Sequence, residues 1–193
     1  MTEAMDFLRE CVGDDKLILG CGVPLGPAFG RVDYCRISCD VGKTFREPWW
    51  SRLICAEMVS TMNAMLSTVF RRHLDGRAFR NDPDVAYFRR NNLWRFLGNW
   101  RGWIDFTAAQ KRTLAWVNRL FGRGVLFVSD DAGGYSEKQL RDLLRYFEEP
   151  LSIIISEIEY VNATKIFIDY VEGGKHMRVA LNPKTGEQKQ SLF

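Results

Sequence analysis

Residues 19–40, "LGCGVPLGPAFGRVDYCRISCD", set four glycines, two prolines and three cysteines beside two arginines and two aspartates. The first half continues the apolar run of "KLILGCG", which the glycines stop, and this predicts a short buried strand. The second half, "VDYCRISCD", predicts another. Side chains alternate faces along a strand, so Arg36, Ser38 and Asp40 share one side and Cys35, Ile37 and Cys39 the other. The apolar set suits a helix layer. Arg36 and Asp40 then point the opposite way, towards a sheet interior or barrel lumen, where charge is costly unless it is paired or used.

Working outward, Thr2 to Val12 has helical spacing, with Met5, Leu8 and Val12 on one face. Residues 49–74 predict a long helix whose buried stripe is Ile54, Met58, Met62, Met65 and Val69. "GRAFRNDPD" predicts a third strand ended by Pro83. Thr107 is placed to cap a helix running to Phe121, with Leu114, Val117 and Phe121 inward and Gly122 just past its end. "GVLFVSDD" is a fourth strand. Ser136 and Gln139 have capping-box spacing and open a helix carrying Leu140, Leu143, Leu144 and Phe147. Beyond Pro150 the pattern turns to consecutive strands, with turns at Gly173-Gly174 and "NPKTG". Alternating strands and helices imply a parallel sheet, here followed by a small antiparallel meander.

Bulk properties narrow the class. In 193 residues, 46% are hydrophobic and 13% aromatic, as in a globular chain with room for one domain and a small appendage. A net charge of +3 spread along the chain is too mild to argue for a nucleic-acid partner. No run of apolar residues is long enough to span a membrane, and the N-terminus lacks the layout of a signal peptide. Five cysteines without a regular framework favour a reducing, cytoplasmic setting.

Acidic residues recur after the strands: Asp40, then Asp82 and Asp84, then Asp130 and Asp131. The C-terminal strand ends of parallel α/β folds carry active sites, so an acidic pocket is one reading. Helix capping by the same residues is the other, and it is the preferred one for Asp130 and Asp131.

The run "LILGCGVPLGPAFGRVDYCRISCDVG", then "RNDPD", then "GVLFVSDD", resembles in order and spacing the C-terminal half of the catalytic barrel of retaining α-galactosidases. These are the melibiase-type glycoside hydrolases of families thirty-six and twenty-seven. The resemblance covers roughly residues 5–149. It implies an α/β chain that forms the C-terminal half of a TIM (β/α)8 barrel, about four βα units over 1–149. A C-terminal antiparallel β meander follows over 150–193. The implied activity is hydrolysis of terminal α-galactosides by a retaining double displacement, with no cofactor and no metal. Asp40 matches the general acid/base, Arg36 an arginine that contacts the sugar beside it, and Asp84 a position that hydrogen-bonds galactose hydroxyls. Asp82 matches a structural position. Cys21 falls in the Gly-Cys-Gly-x-Pro stretch that lines the pocket floor, against the sugar.

The chain departs from that pattern at the nucleophile. The family carries it as the Asp of a Lys-x-Asp stretch one strand earlier, whereas Asp6, Asp14 and Asp15 here fall in a helix or its exit turn. A full barrel takes about 250 residues against about 150 available before the meander. The expectation is therefore an α-galactosidase piece, inactive by itself, that partners an N-terminal half of the barrel or another copy. The rival expectation is a non-catalytic carbohydrate-binding or interaction module built on the half-barrel. Segment 91–105 also departs from the pattern: Trp94, Phe96, Trp100 and Trp103 fit loop packing better than a sugar-stacking platform. Cys21, Cys35 and Cys39 lack the paired C-x2-C spacing of a zinc site.

Overall fold

The computed structural model describes residues 1–42, 44–46, 53, 59–89, 104, 106–122, 125–130, 132–148 and 153–192. Its elements run α1 (Thr2–Val12), β1 (Leu19–Gly20), a one-turn α2 (Leu25–Ala28), β2 (Tyr34–Arg36), α3 (Thr61–Phe70) and β3 (Arg80–Asp82). Then come β4 (Val85–Ala86), α4 (Ala108–Phe121), β5 (Phe127–Val128), α5 (Glu137–Phe147), β6 (Ile153–Asn162), β7 (Lys165–Glu172), β8 (Lys175–Asn182) and β9 (Glu187–Leu192).

The parallel pairing implied by the strand–helix alternation is present. Strands β1, β2 and β3 lie side by side in that order, with Gly20 opposite Cys35 and Arg36 opposite Asp82. Strands β4 and β5 form a separate parallel pair. The last four strands make an antiparallel meander in sequence order, turning at the predicted glycines.

Face alternation follows the expected parity as far as Ile37, whereas Cys39, expected on the buried face, is exposed beyond the end of β2. Cys35 and Ile37 are fully buried with Met5, Ala28, Val32 and Phe79, while Arg36 faces the other way. A second core joins α3 and α4 to the inner face of the meander through Met65, Val69, Leu114, Val117, Ile166 and Leu181. Gly186, in the β8–β9 turn, closes this junction. It has φ +68, and a Cβ there would come within 2.8 Å of the Phe45 ring and 2.6 Å of Gln110, so no side chain fits.

Both capping boxes are formed. Thr107 accepts from the Gln110 N–H and Ser136 from the Gln139 N–H, and each glutamine returns an acceptor to its cap residue's N–H. The expected helix over 49–74 is shorter. It begins at Thr61 behind the Ser60 cap, residues 59–60 are not helical, and it ends at Phe70. Ser60 supplies the physical reason, since its side chain takes the Asn63 N–H that a continuous helix would give to a carbonyl. Ile54 and Met58 lie outside the described residues, as does segment 91–105 apart from Ile104.

Two amphipathic faces differ from expectation. On α5 it is Tyr146 that is buried, against Ala86 and Ala115, whereas Leu140, Leu144 and Phe147 stay exposed. On α1 Met5 is buried but Leu8 is exposed, as is Phe7. No helix among the described residues is long and apolar enough to cross a membrane.

Candidate active site

Strands β1, β2 and β3 end on the same edge of the sheet, and the residues just beyond them converge there. Cys21 follows Gly20, which sits opposite Cys35, so the register sets it beside Arg36. Arg36 is the centre of the group. Its Nε donates to Asp82 Oδ2 at 2.8 Å, and its Nη1 lies 3.2 Å from Asp40 Oδ1 and 3.0 Å from Asp84 Oδ1. Nη2 makes no hydrogen bond among the described residues, which leaves its two N–H groups for a ligand.

The three carboxylates are not equivalent. The Asp82 side chain is 0% exposed, and its second oxygen accepts the Asp84 N–H at 2.8 Å. Asp84 is nearly buried, and its Oδ2 accepts the Val41 N–H. The Asp40 side chain is 71% exposed. Burial pushes the Asp84 carboxyl above its ordinary range, against the pull of the Val41 N–H and the Arg36 charge. One guanidinium thus serves three acids, a cluster with excess negative charge.

The backbone on both sides of Asp40 is fixed, and its head group is exposed apart from the contact with Arg36 Nη1. The Ile37 N–H donates to the Asp82 carbonyl at 3.2 Å, and Arg71 donates to the Ile37 carbonyl. Beyond Asp40, the Val41 N–H is held by Asp84, and the Thr61 hydroxyl donates to the Gly42 and Thr44 carbonyls. The arrangement combines a positioned main chain with a solvent-facing carboxyl oxygen. Gly22, at φ +72, has open space where a Cβ would project, so the loop after β1 leaves room beside the cluster.

Asp84 itself has φ 73, the one non-glycine residue in the left-handed region among the described residues. Asn tolerates that conformation and Ala does not. Asn also keeps an acceptor for the Val41 N–H, which Ala would strand in a buried position. Asp84→Ala is therefore expected to lose about 2–4 kcal/mol of stability. Asp84→Asn should lose at least about 1 kcal/mol less, as measured by urea unfolding. Equal losses would remove the backbone conformation as the cause.

The sequence-derived residues Cys21, Arg36, Asp40 and Asp84 are thus brought together. Asp82, read as structural, is the buried partner of Arg36. Asp130 departs from its expected capping role. It lies beyond β5, where it accepts from the Phe88 and Arg89 N–H groups and the Tyr135 hydroxyl at 2.6 Å and does not cap α5. Helix α5 already has Ser136 as its cap, which left Asp130 to tie the β4 exit loop to the β5 exit loop. Asp131 lies outside the described residues. Burial pushes the Cys35 thiol up to about 11, as suits a core residue and not a ligand. No group of three metal-ligating side chains is assembled among the described residues.

The fold is α-galactosidase-like. No protein-family model matches the chain. Among solved structures it is similar to TtGalA, the α-galactosidase from Thermus thermophilus, in complex with p-nitrophenyl α-D-galactopyranoside. That match has a TM-score of 0.65 and 22% identity, over 89% of this chain and 32% of that one. The same enzyme in complex with stachyose matches with a TM-score of 0.62 and 25% identity, over 77% of this chain and 30% of the other. The chain thus spans about a third of the length of the enzyme it resembles.

Proposed function

We propose that this chain forms the acid/base side of a retaining α-galactosidase site. The supporting observation is Asp40: an exposed carboxyl on a pinned backbone, beside the buried Arg36–Asp82–Asp84 group at the C-terminal strand ends. In this reading residues 1–149 form the C-terminal half of a (β/α)8 barrel and 150–193 a β meander. The exposed apolar faces of α1 and α5, near the two ends of the strand series, are where further barrel elements or another copy would pack.

The chemistry follows from the roles. Asp40 protonates the leaving oxygen as the anomeric bond breaks, then takes a proton from the water that attacks the glycosyl intermediate. Asp84, fixed by Val41 and Arg36, accepts from sugar hydroxyls, and Arg36 Nη2 donates to one. Cys21 lines the floor beneath the ring. The nucleophilic carboxylate, about 5 Å from the acid in a retaining site, comes from outside the described residues.

The experiment is Asp40→Asn in the enzyme assembled with its N-terminal barrel half. Alkyl galactosides, which need protonation of the leaving group, should lose about 10²–10⁴-fold in kcat/KM. A nitrophenyl galactoside, whose leaving group departs unaided, should lose about tenfold or less in the bond-breaking step. Equal losses on both substrates would remove Asp40 from the role.

A further inference from the structure

Away from the Arg36 cluster, α4 and α5 enclose a cavity of about 510 Å³ floored by the residues that follow β4. Six cationic side chains line it: Arg89, Lys111, Arg112, Arg119, Lys138 and Arg145. Asp142 is the only carboxylate lining it among the described residues. In a chain of net charge +3 that concentration is not background. The spacing is helical on both walls. Arg112 and Arg119 are seven apart on α4, and Lys138, Asp142 and Arg145 follow one face of α5.

Some of this charge is already spent. Arg89 lies 3.5 Å from Asp130, Lys111 donates to the Arg89 carbonyl, and Arg119 donates to the Glu148 carbonyl. Arg112, Lys138 and Arg145 have no ion pair or hydrogen bond among the described residues. Burial also pushes the Lys111 ammonium below its ordinary range, an electrostatic cost that an anion beside it would offset. The N-terminus of α5 opens at Ser136 on the same cavity and adds its positive end. The remaining wall is apolar, with Phe88 and Trp116 half-buried on it.

We infer that the α4–α5 groove binds a nucleotide-sized phosphate ester. Arg112, Lys138 and Arg145 would hold its phosphate, and Trp116 and Phe88 its flat ring. The volume suits a ligand of that size. Cations from two helices match the several oxygens of a phosphate, and the aromatic wall distinguishes a ring-bearing ester from a bare anion. This inference is independent of the glycosidase reading, because it shares no residue with the Arg36 cluster.

The test is titration calorimetry of the full chain with AMP, ribose 5-phosphate and inorganic phosphate at two salt concentrations. AMP is expected to bind, more weakly as salt rises, and better than either probe, since neither carries an aromatic base. Arg112→Glu and Arg145→Glu, both at exposed positions, should each weaken AMP by about tenfold or more. Lys175→Glu, an equal change of charge on an exposed residue of β8, should leave it within about twofold. No AMP binding, indifference to the two arginine reversals, or equal affinity for inorganic phosphate would overturn the inference. Tighter binding of a single-stranded oligonucleotide that AMP displaces would also overturn it, making the groove a track for a polyanion.

Discussion

Replacing Arg36 with alanine is expected to cost about 3–5 kcal/mol of folding stability, because it leaves buried carboxylates without their counter-charge. Asp82 is wholly enclosed and Asp84 nearly so, and both depend on this one guanidinium. The loss should depend on pH in a definite direction. Asp84 already titrates above the usual carboxylate range, chiefly through burial, so the folded state favours its protonated form. Its contribution to stability is therefore greatest at low pH and declines as pH rises through its folded pKa. Removing Arg36 takes away a stabiliser of the ionised form and moves that pKa further up. The deficit of Arg36→Ala should accordingly be largest near neutral pH and shrink on acidification, which urea midpoints across the pH range will measure. A deficit that stays constant with pH would locate the damage in lost side-chain packing instead.

This expectation differs from what the sequence suggests for the same residue. Parity along "YCRISCD" puts Cys35 and Ile37 on the face opposite Arg36, a local property of a strand, but β2 ends at Arg36 and Asp40 reaches that residue from the bend beyond it. The resemblance makes Arg36 a sugar contact. The partner that dominates its environment, Asp82, is 46 residues away and is brought opposite it by strand register. Nothing local encodes that pairing. The Thr107 cap and the capping box at Ser136 were legible for the converse reason, since every group involved lies within four residues.

The misread elements fail where tertiary context decides. The apolar pattern over 49–74 runs through Ser60, whose side chain starts a new helix behind an irregular step. Periodicity alone does not register that break. On α5 the leucine stripe has the spacing of a core face, yet the small cluster of Ala86, Ala115, Phe88, Leu126 and Val128 packs with Tyr146 instead. Asp84 illustrates a third limit. An Asp after Pro83 fits many turns, and its left-handed backbone is set by the Asp82 oxygen accepting its N–H. The groove between α4 and α5 was invisible for a related reason: its cations are unremarkable along each helix and gain meaning only when two helices face each other.

The chain alone is expected to show no measurable turnover of an aryl α-galactoside, about six orders of magnitude or more below an assembled enzyme. A retaining mechanism needs a second carboxylate about 5 Å from the acid, free to attack the anomeric carbon. Near Asp40 the described residues offer only Asp82 and Asp84. The oxygens of Asp82 are engaged by Arg36 Nε and the Asp84 N–H, and those of Asp84 by Arg36 Nη1 and the Val41 N–H. Either acid would have to abandon a buried hydrogen bond and a salt bridge to act as a nucleophile. Supplying a barrel half that carries a Lys-x-Asp strand end should restore turnover. It should also cover the exposed leucines of α5 and Phe7 of α1, which leave the chain alone prone to self-association. The check is an assay of the purified chain, with and without that half, alongside its mass in solution. Turnover by a strict monomer would mean that an acid of this chain, Asp82 or Asp84 among the described residues, takes the nucleophile's part. Galactose binding that persists with no turnover after the halves assemble would favour the carbohydrate-binding module, because the same Arg36–Asp84 pair then serves recognition without bond cleavage.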